Sequence, residues 1–370
     1  MSVMRQFTGL AALAVYAFVA FEFLFMILPF VALAYYPAYG EMLAWLADSR
    51  WTAGLTGFFL PHFSETDDAL MDSLGSFGRR TALVGIVLFV ISAVPLYFSK
   101  LFLRKEVTGG LYALIRHPQY LAFTIIGVGL LLTWPRFIAL YALVSMIFAY
   151  VALARHEESD CLEKFGESYA AYMRKTGAFL PKWIPTPNLV PRNASAKRWI
   201  ITYVIAMAIA GVTGVALREH AIHHISAVYN PREVILSPAR LTDAELLAAH
   251  QIATSDARIR KHLSADSVPR IIYVLPQEWY MPDLPIDPLD YVRKHGGHGA
   301  NADFDRSKLQ VLFASADTYH PDSNGKSILR RAHSITPITI ADVDVTSSTV
   351  EQILEPPPHT VWGDFPMPLF

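Results

Sequence analysis

Two apolar segments joined by a very short turn constrain the fold of this chain more than any other feature. Residues 120–133 are apolar, Trp134-Pro135-Arg136 interrupts the run, and residues 137–154 are apolar again. Because the turn is so short, two helices built on these segments must run antiparallel. Arg116-His117-Pro118 before the first and Glu157-Glu158 after the second therefore return to one membrane face. Charged groups at a membrane hairpin need partners or a ligand, so we place the function there.

The composition is that of a membrane protein followed by a water-soluble region. Of the 370 residues, 53% are hydrophobic and 17% are charged, whereas about 25% are charged in an average soluble protein. The apolar runs lie mostly within residues 1–217, and residues 218–370 have the composition of a soluble domain. The net charge of −1, without a polybasic tail, predicts no nucleic-acid partner.

Several segments are apolar enough to cross a membrane, which takes about 20 residues. The predicted spans are residues 9–35, 81–103, 119–134, 136–154 and 198–217. The first is too long for the apolar core of a signal peptide, and we predict that it is retained. Residues 41–61 include Asp48 and Arg50, which favour an interfacial or re-entrant helix. The predicted fold class is an α-helical polytopic membrane protein of about five transmembrane helices with a C-terminal extramembrane α+β domain.

The predicted domains are a membrane helical domain (1–185), a linker with the fifth span (186–217) and an extracytoplasmic domain (218–370). Lys and Arg are concentrated in residues 100–116 and 155–198, which predicts that both segments are cytoplasmic. Arg79-Arg80 counts against this rule. We predict a multi-pass protein of the bacterial inner membrane, with the C-terminal domain in the periplasm.

The C-terminal region has the patterns of a small α+β domain. A helix is predicted at Asp243–His262 after an N-cap at Thr242. Strands are predicted at Arg270–Leu275, Leu309–Ala314 and Ile335–Val345. We find no catalytic motif in this region, which we predict to bind a protein partner or to act as a lid.

Other ionisable residues give weaker signals. His220, His223 and His224 can bring two imidazoles together, but no carboxylate or cysteine completes a metal-binding set. His295 and His298 lie in a glycine-rich loop, and no metal site is predicted. Cys161 is the only cysteine, and its acidic neighbours favour an unreactive thiol. Glu22 lies inside the first predicted span, where either a functional role or a pairing with another helix explains it.

Two blocks of residues around the hairpin resemble a known family of membrane enzymes. The first contains Gly109-Gly110-Leu111-Tyr112 and Arg116-His117-Pro118-Gln119-Tyr120. The second contains Glu157-Glu158, Leu162, Phe165-Gly166, Tyr169 and Tyr172, followed by Leu180-Pro181. Both are similar to blocks of the isoprenylcysteine carboxyl methyltransferase-like and phospholipid methyltransferase-like integral membrane enzymes. The resemblance covers residues from about 75 to 185. Ala122 departs from the pattern, because the family usually has glycine at this position.

The resemblance implies that S-adenosylmethionine is the cofactor and that a methyl group passes to a lipid-soluble or membrane-embedded acceptor. Relatives methylate isoprenylated cysteine carboxylates, phospholipid amines or small thiols, so the acceptor is left open. The implied catalytic residues are Arg116 and Glu158. The implied cofactor-binding residues are Gly110, Tyr112, His117, Pro118, Tyr120, Glu157, Glu158, Tyr169 and Tyr172.

The chemistry of these residues supports the same assignment. Pro118 suits a first helical turn, whose free N–H groups near residues 119–121 can receive a carboxylate. Arg116 can clamp a carboxylate through two hydrogen bonds. Glu157 or Glu158 can accept from ribose hydroxyls or pair with an ammonium group. An amine acceptor must lose a proton, whereas a carboxylate or thiolate needs no general base, so the role of the glutamates depends on the acceptor.

Two other functions remain as alternatives. The chain can be a membrane scaffold that keeps the fold of the enzyme, or a sterol-reductase-like enzyme that uses NADPH and shares the Arg-His-Pro-x-Tyr block. The predicted partners are the lipid bilayer, a lipophilic or lipid-linked substrate, and a protein that binds residues 218–370, for which a role as a lid is the alternative.

Overall fold

The computed structural model describes residues 40–99, 102, 107–185, 194–263, 268–277, 279, 281, 283–285, 304–320, 322–358 and 369–370. The first predicted span with Glu22, and the loop with His295 and His298, lie outside the described residues. The chain divides into two compact units. Unit one comprises Met1–Ala38, Arg79–Leu131 and Tyr141–Ala206, and unit two comprises Tyr39–Gly78, Leu132–Leu140 and Met207–Phe370.

The helical region contains long apolar helices, as predicted. Its described helices are α1 (Gly40–Ala47), α2 (Ala69–Phe98), α3 (Pro118–Thr133), α4 (Phe137–Phe165), α5 (Glu167–Lys175) and α6 (Ala196–His224), with 3-10 turns at Ala53–Leu55 and Gly110–Ala113. Of the described helices, α2, α4 and α6 are long and apolar enough to cross a membrane, and α3 is a shorter apolar helix. These helices and the C-terminal sheet confirm the fold class in part, but the predicted number of five spans is not confirmed.

The helix bounds differ from the prediction because the helices continue beyond their apolar parts. Helix α2 begins at Ala69 instead of residue 81, and the Asp68 carboxylate accepts hydrogen bonds from the backbone N–H groups of Leu70 and Met71 at its start. Helix α4 continues to Phe165 instead of ending at residue 154. In place of one interfacial helix over residues 41–61, the structure has α1 and a separate 3-10 turn.

The described part of unit one is built on close contacts of α3 with α2 and α4. A Cβ atom on Gly85 of α2 would lie 2.7 Å from the backbone nitrogen of Ile126 in α3, so this glycine permits the close approach. Ala122 is fully buried at the same contact, which shows that alanine is small enough at the position where the family usually has glycine. The rings of Tyr120 and Tyr150 stack at 5.1 Å between α3 and α4.

The described residues of unit two form a six-stranded sheet in the order β1 to β6. The strands are β1 (Ser226–Tyr229), β2 (Glu233–Ser237), β3 (Arg270–Pro276), β4 (Lys308–Asp317), β5 (Ser334–Asp344) and β6 (Thr349–Leu354). The three predicted strands are confirmed as β3, β4 and β5, whereas β1, β2 and β6 were not predicted. Strands β2 and β3 are parallel and the other neighbours are antiparallel.

The helices of the sheet domain follow the predicted pattern with one break. The helix predicted at Asp243–His262 is divided at Asp256 into α7 (Asp243–Ser255) and α8 (Ala257–Leu263), and a short α9 (Lys326–Arg331) follows β4. Thr242 and Glu245 form a capping box, which confirms the predicted N-cap. Buried side chains of α7 and α8 form a core with one face of the sheet.

Unit two also contains the turn between the hairpin helices. Arg136 in this turn is completely buried, and its Nη1 donates to the carbonyl of Thr56 at 2.5 Å. Arg218 of α6 donates to the carbonyls of Phe58 and Leu329. His220 and His224 are paired with Asp68 and Asp67. Among the described residues, no group of three or more His, Cys, Asp or Glu side chains is arranged for a metal ion.

Candidate functional site

The backbone before α3 is held by a strand-like contact with the segment that follows α5. The N–H groups of Arg116 and His117 donate to the carbonyls of Gly177 and Ala178, each at 2.9 Å. The N–H group of Gly177 donates in return to the carbonyl of Leu114 at 3.2 Å. This pairing fixes the direction in which the Arg116 and His117 side chains leave the backbone.

The Arg116 side chain is held by a carboxylate and by the carboxyl end of a helix. Its Nε donates to Oε1 of Glu158 at 2.5 Å. Its Nη1 donates to the carbonyls of Thr176 at 2.5 Å and Met173 at 3.3 Å, at the end of α5. Helix carboxyl ends carry partial negative charge and attract cations. The guanidinium is therefore fixed on two sides before any ligand binds.

The imidazole of His117 lies between the two glutamates. Its Nε2 is 3.2 Å from Oε1 of Glu158, and its Nδ1 is 3.4 Å from Oε2 of Glu157. Burial lowers the pKa of His117, but hydrogen bonds and charge attraction from Glu157 and Glu158 outweigh burial and raise this pKa above its usual value. A protonated imidazole can donate to both carboxylates at once.

The two neighbouring glutamates have different surroundings. The Glu157 side chain is 52% exposed, and its Oε1 accepts a hydrogen bond from the Tyr120 hydroxyl at 2.5 Å. The Glu158 side chain is only 4% exposed, behind Arg116 and His117. Consecutive residues of an α-helix point about 100° apart, so only one of the pair faces a ligand. Glu157 is the exposed carboxylate, and Glu158 is the buried one that holds Arg116 and His117.

A cavity of about 670 Å³ opens in front of these residues. Of the predicted site residues, the cavity brings together Tyr112, Arg116, His117, Pro118, Tyr120, Glu157, Tyr169 and Tyr172. Gly110 and Glu158 are not among its described lining residues. Gly110 instead has a positive φ of 61°, which glycine adopts without strain, in the 3-10 turn that carries Tyr112.

The cavity has further lining residues that the sequence analysis did not name as site residues, although Gln119 and Phe165 belong to its two sequence blocks. The further lining residues are Leu96, Val107, Thr108, Gln119, Cys161, Lys164 and Phe165. The spacing of Glu157, Cys161 and Lys164 is that of one helix face, because residues four and seven apart lie on the same side. Extending the second apolar segment as a helix would have identified Cys161 and Lys164 as neighbours of Glu157.

The tyrosines give the cavity aromatic walls with neutral hydroxyl groups. The Tyr172 hydroxyl donates to the carbonyl of Tyr112 at 2.6 Å and thus connects α5 to the 3-10 turn. Burial raises the pKa of Tyr172 to about 12 and also raises the pKa values of Tyr112 and Tyr169. The rings can therefore contact a cationic ligand group through their faces.

Comparison with known proteins relates the helical region to one family. Residues 77–168 match the family model described as phospholipid methyltransferase. No curated protein and no solved structure matches the chain. The family match confirms the resemblance predicted from the two sequence blocks. Together with the apolar helices, it indicates a membrane methyltransferase.

Proposed function

We propose that the protein transfers a methyl group from S-adenosylmethionine to a lipid-soluble or membrane-embedded acceptor in the cavity beside Arg116. The observation that carries this proposal is the fixed arrangement of opposite charges on the cavity wall. Arg116 and Glu157 both line the cavity, and the buried Glu158 holds both Arg116 and His117. A scaffold would not need such a preorganised charged site, so an enzyme is favoured over the scaffold.

The donors and acceptors on the wall fit the polar groups of the cofactor. In the described part of the chain, Nε and Nη1 carry the contacts of Arg116, so Nη2 is the group that can donate to a carboxylate. The N–H of Leu121 already donates to the carbonyl of His117 at 3.3 Å, so this group does not belong to the predicted backbone site at residues 119–121. Glu157 can pair with the ammonium group or accept from the ribose hydroxyls.

The cofactor supplies an electrophilic methyl group, and the protein supplies alignment and exclusion of water. Positioning alone contributes up to about 7–11 kcal/mol in well-oriented reactions. The faces of Tyr169 and Tyr172, which line the cavity, can stabilise positive charge near the reacting atoms. In this proposal Arg116 and Glu157 contact the ligands, and Glu158 becomes a positioning residue instead of a catalytic one.

Methyl transfer to a lipid-soluble acceptor can be tested with a labelled cofactor. Full-length protein in nanodiscs made from a bacterial lipid extract is incubated with S-adenosylmethionine labelled in its methyl group, and we expect label in the organic phase. Release of the label as methanol by mild base identifies a carboxylate acceptor, and resistance identifies an amine or thiol. Cofactor binding without any label in the organic phase would exclude a lipid-soluble acceptor.

The variant Glu157→Gln keeps the shape of the side chain but removes its charge. We expect its binding of S-adenosylmethionine to be weaker than that of the wild type roughly tenfold, about 1.4 kcal/mol.

The proposed topology places the cavity at the cytoplasmic face of a bacterial inner membrane and residues 218–370 in the periplasm. The excess of Lys and Arg in residues 100–116 and 155–198 supports this orientation. The described lining residues of the cavity all precede residue 173, so residues 218–370 contribute none of them. We therefore propose that residues 218–370 bind a protein partner.

Reporter insertions test this topology. Ser347 lies in the exposed turn between β5 and β6, whereas Phe370 is completely buried, so the turn is the better insertion point. A reporter inserted after Ser347 should be active only outside the cytoplasm, and one inserted after Asn188 only inside. Activity of both reporters on one side would rule out the proposed orientation.

A further inference from the structure

Two exposed apolar side chains follow the outer wall of the cavity, which we define as residues 167–181. Trp183 is 71% exposed and Ile184 is 40% exposed. The N–H of Ile184 donates to the carbonyl of Pro181 at 2.9 Å, so both residues lie on a turn next to the wall. Folding alone gives no reason to expose an indole and a branched side chain together at this point.

This turn belongs to the link between two candidate membrane helices. Helix α4 ends at Phe165 and α6 begins at Ala196, so the link starts and finishes at one membrane face. Helix α5 within the link has no buried residue. Near the start of α6, the Arg155 guanidinium lies 4.8 Å from the ring of Trp199. Arg155 follows the apolar part of α4, and tryptophan and arginine at the limits of apolar helix segments are typical of the membrane–water interface.

The charges around the turn suit a lipid surface with anionic headgroups. Lys175 lies in the last turn of α5 together with Arg174, whose guanidinium is paired with Glu167 at 2.5 Å. The ammonium group of Lys182 donates to the carbonyl of Arg174 and joins the turn to the end of that helix. Basic residues beside an exposed tryptophan bind the interfacial layer of anionic membranes through charge and apolar contact.

We propose that Trp183 and Ile184 insert into the headgroup layer of the leaflet on the cavity side and thereby hold the outer wall in place. The wall contributes Tyr169 and Tyr172 to the cavity. It also provides the carbonyls of Met173 and Thr176 to Arg116. Docking of the turn therefore limits the movement of α5 away from Arg116. The docking itself rests on the candidate spans, and its effect on ligand binding rests on the proposed function.

The location of Trp183 can be measured by fluorescence quenching. Full-length protein is placed in nanodiscs of phosphatidylcholine and phosphatidylglycerol with bromine on the acyl carbons nearest the headgroups. The chain has 7 tryptophans, so the emission of Trp183 is obtained by subtracting the spectrum of Trp183→Phe from that of the wild type. Trp279→Phe is the control, because Trp279 is buried in unit two. Quenching of the Trp183 emission but not of the Trp279 emission supports the proposal, and unquenched Trp183 emission overturns it.

A second measurement tests the effect on the cavity. The variant Trp183→Ser with Ile184→Ser should bind S-adenosylhomocysteine several-fold more weakly than the wild type in phosphatidylglycerol nanodiscs. In non-ionic detergent, the two proteins should bind it equally. Equal affinities in nanodiscs would show that the docked turn does not hold the wall. If the wild type binds no S-adenosylhomocysteine in either medium, the proposed function is wrong, while the quenching result still decides the location of Trp183.

Discussion

Glu158→Ala and Arg116→Ala should each weaken binding of S-adenosylhomocysteine by about 1.5–3 kcal/mol, because each removes a charged hydrogen-bond partner. Glu158 has the larger structural role, since its Oε1 contacts both Arg116 at 2.5 Å and His117 at 3.2 Å. The double variant should lose less than the sum of the two single losses, because residues of one network do not act additively. Calorimetric titration of the folded variants measures all three affinities.

The matched control is Glu163→Ala, which removes an exposed carboxylate from the same helix. This variant should bind S-adenosylhomocysteine like the wild type. Glu158→Gln keeps an oxygen acceptor and should lose less affinity than Glu158→Ala. Folded single variants at Arg116 and Glu158 with wild-type affinity would show that these residues do not form the cofactor site.

Gly177→Ala should reduce the affinity for S-adenosylhomocysteine tenfold or more, which corresponds to about 1.4 kcal/mol. The added Cβ would lie 1.7 Å from the carbonyl oxygen of Leu180 and 2.9 Å from its carbonyl carbon. Both are backbone atoms, so the segment itself must move. That movement disturbs the hydrogen bonds from Arg116 and His117 to Gly177 and Ala178, and with them the direction of both side chains.

Gly109→Ala is the control for this glycine. An added Cβ on Gly109 meets no atom within 4 Å, and its φ of −96° suits any residue. The control should keep wild-type affinity and thermal stability. If Gly177→Ala binds S-adenosylhomocysteine like Gly109→Ala, the pairing between residues 116–117 and 177–178 does not position the site.

The meeting of the two polar clusters could be predicted from sequence because it follows from the shortness of the turn at Trp134-Pro135-Arg136. The Tyr120 hydroxyl, at the start of α3, donates to Glu157 near the end of α4, as antiparallel helices require. The rotation of α4 could not be predicted in the same way. It decides that Glu157 faces the cavity and Glu158 does not, and it depends on packing such as the contact of Tyr120 with Tyr150.

The strands, too, could be predicted only in part from the sequence pattern of each segment. Strands β3 and β4 are mostly buried, and β5 is 11 residues long with a buried centre, so their apolar runs are visible in the sequence. Strands β1 and β6 lie at the sheet edges, where partly exposed residues give no clear alternation. The role of Gly177 was also missed, because it results from pairing with residues 114–117, far away in the chain.

The central claim is that the cavity beside Arg116 binds S-adenosylmethionine. Calorimetric titration of the full-length protein in detergent with S-adenosylhomocysteine and, separately, with NADPH tests it most directly. We expect saturable binding of S-adenosylhomocysteine, weakened in Glu158→Ala, and no binding of NADPH. Binding of NADPH alone would indicate a reductase, and binding of neither compound would indicate a scaffold; either result would contradict the assignment.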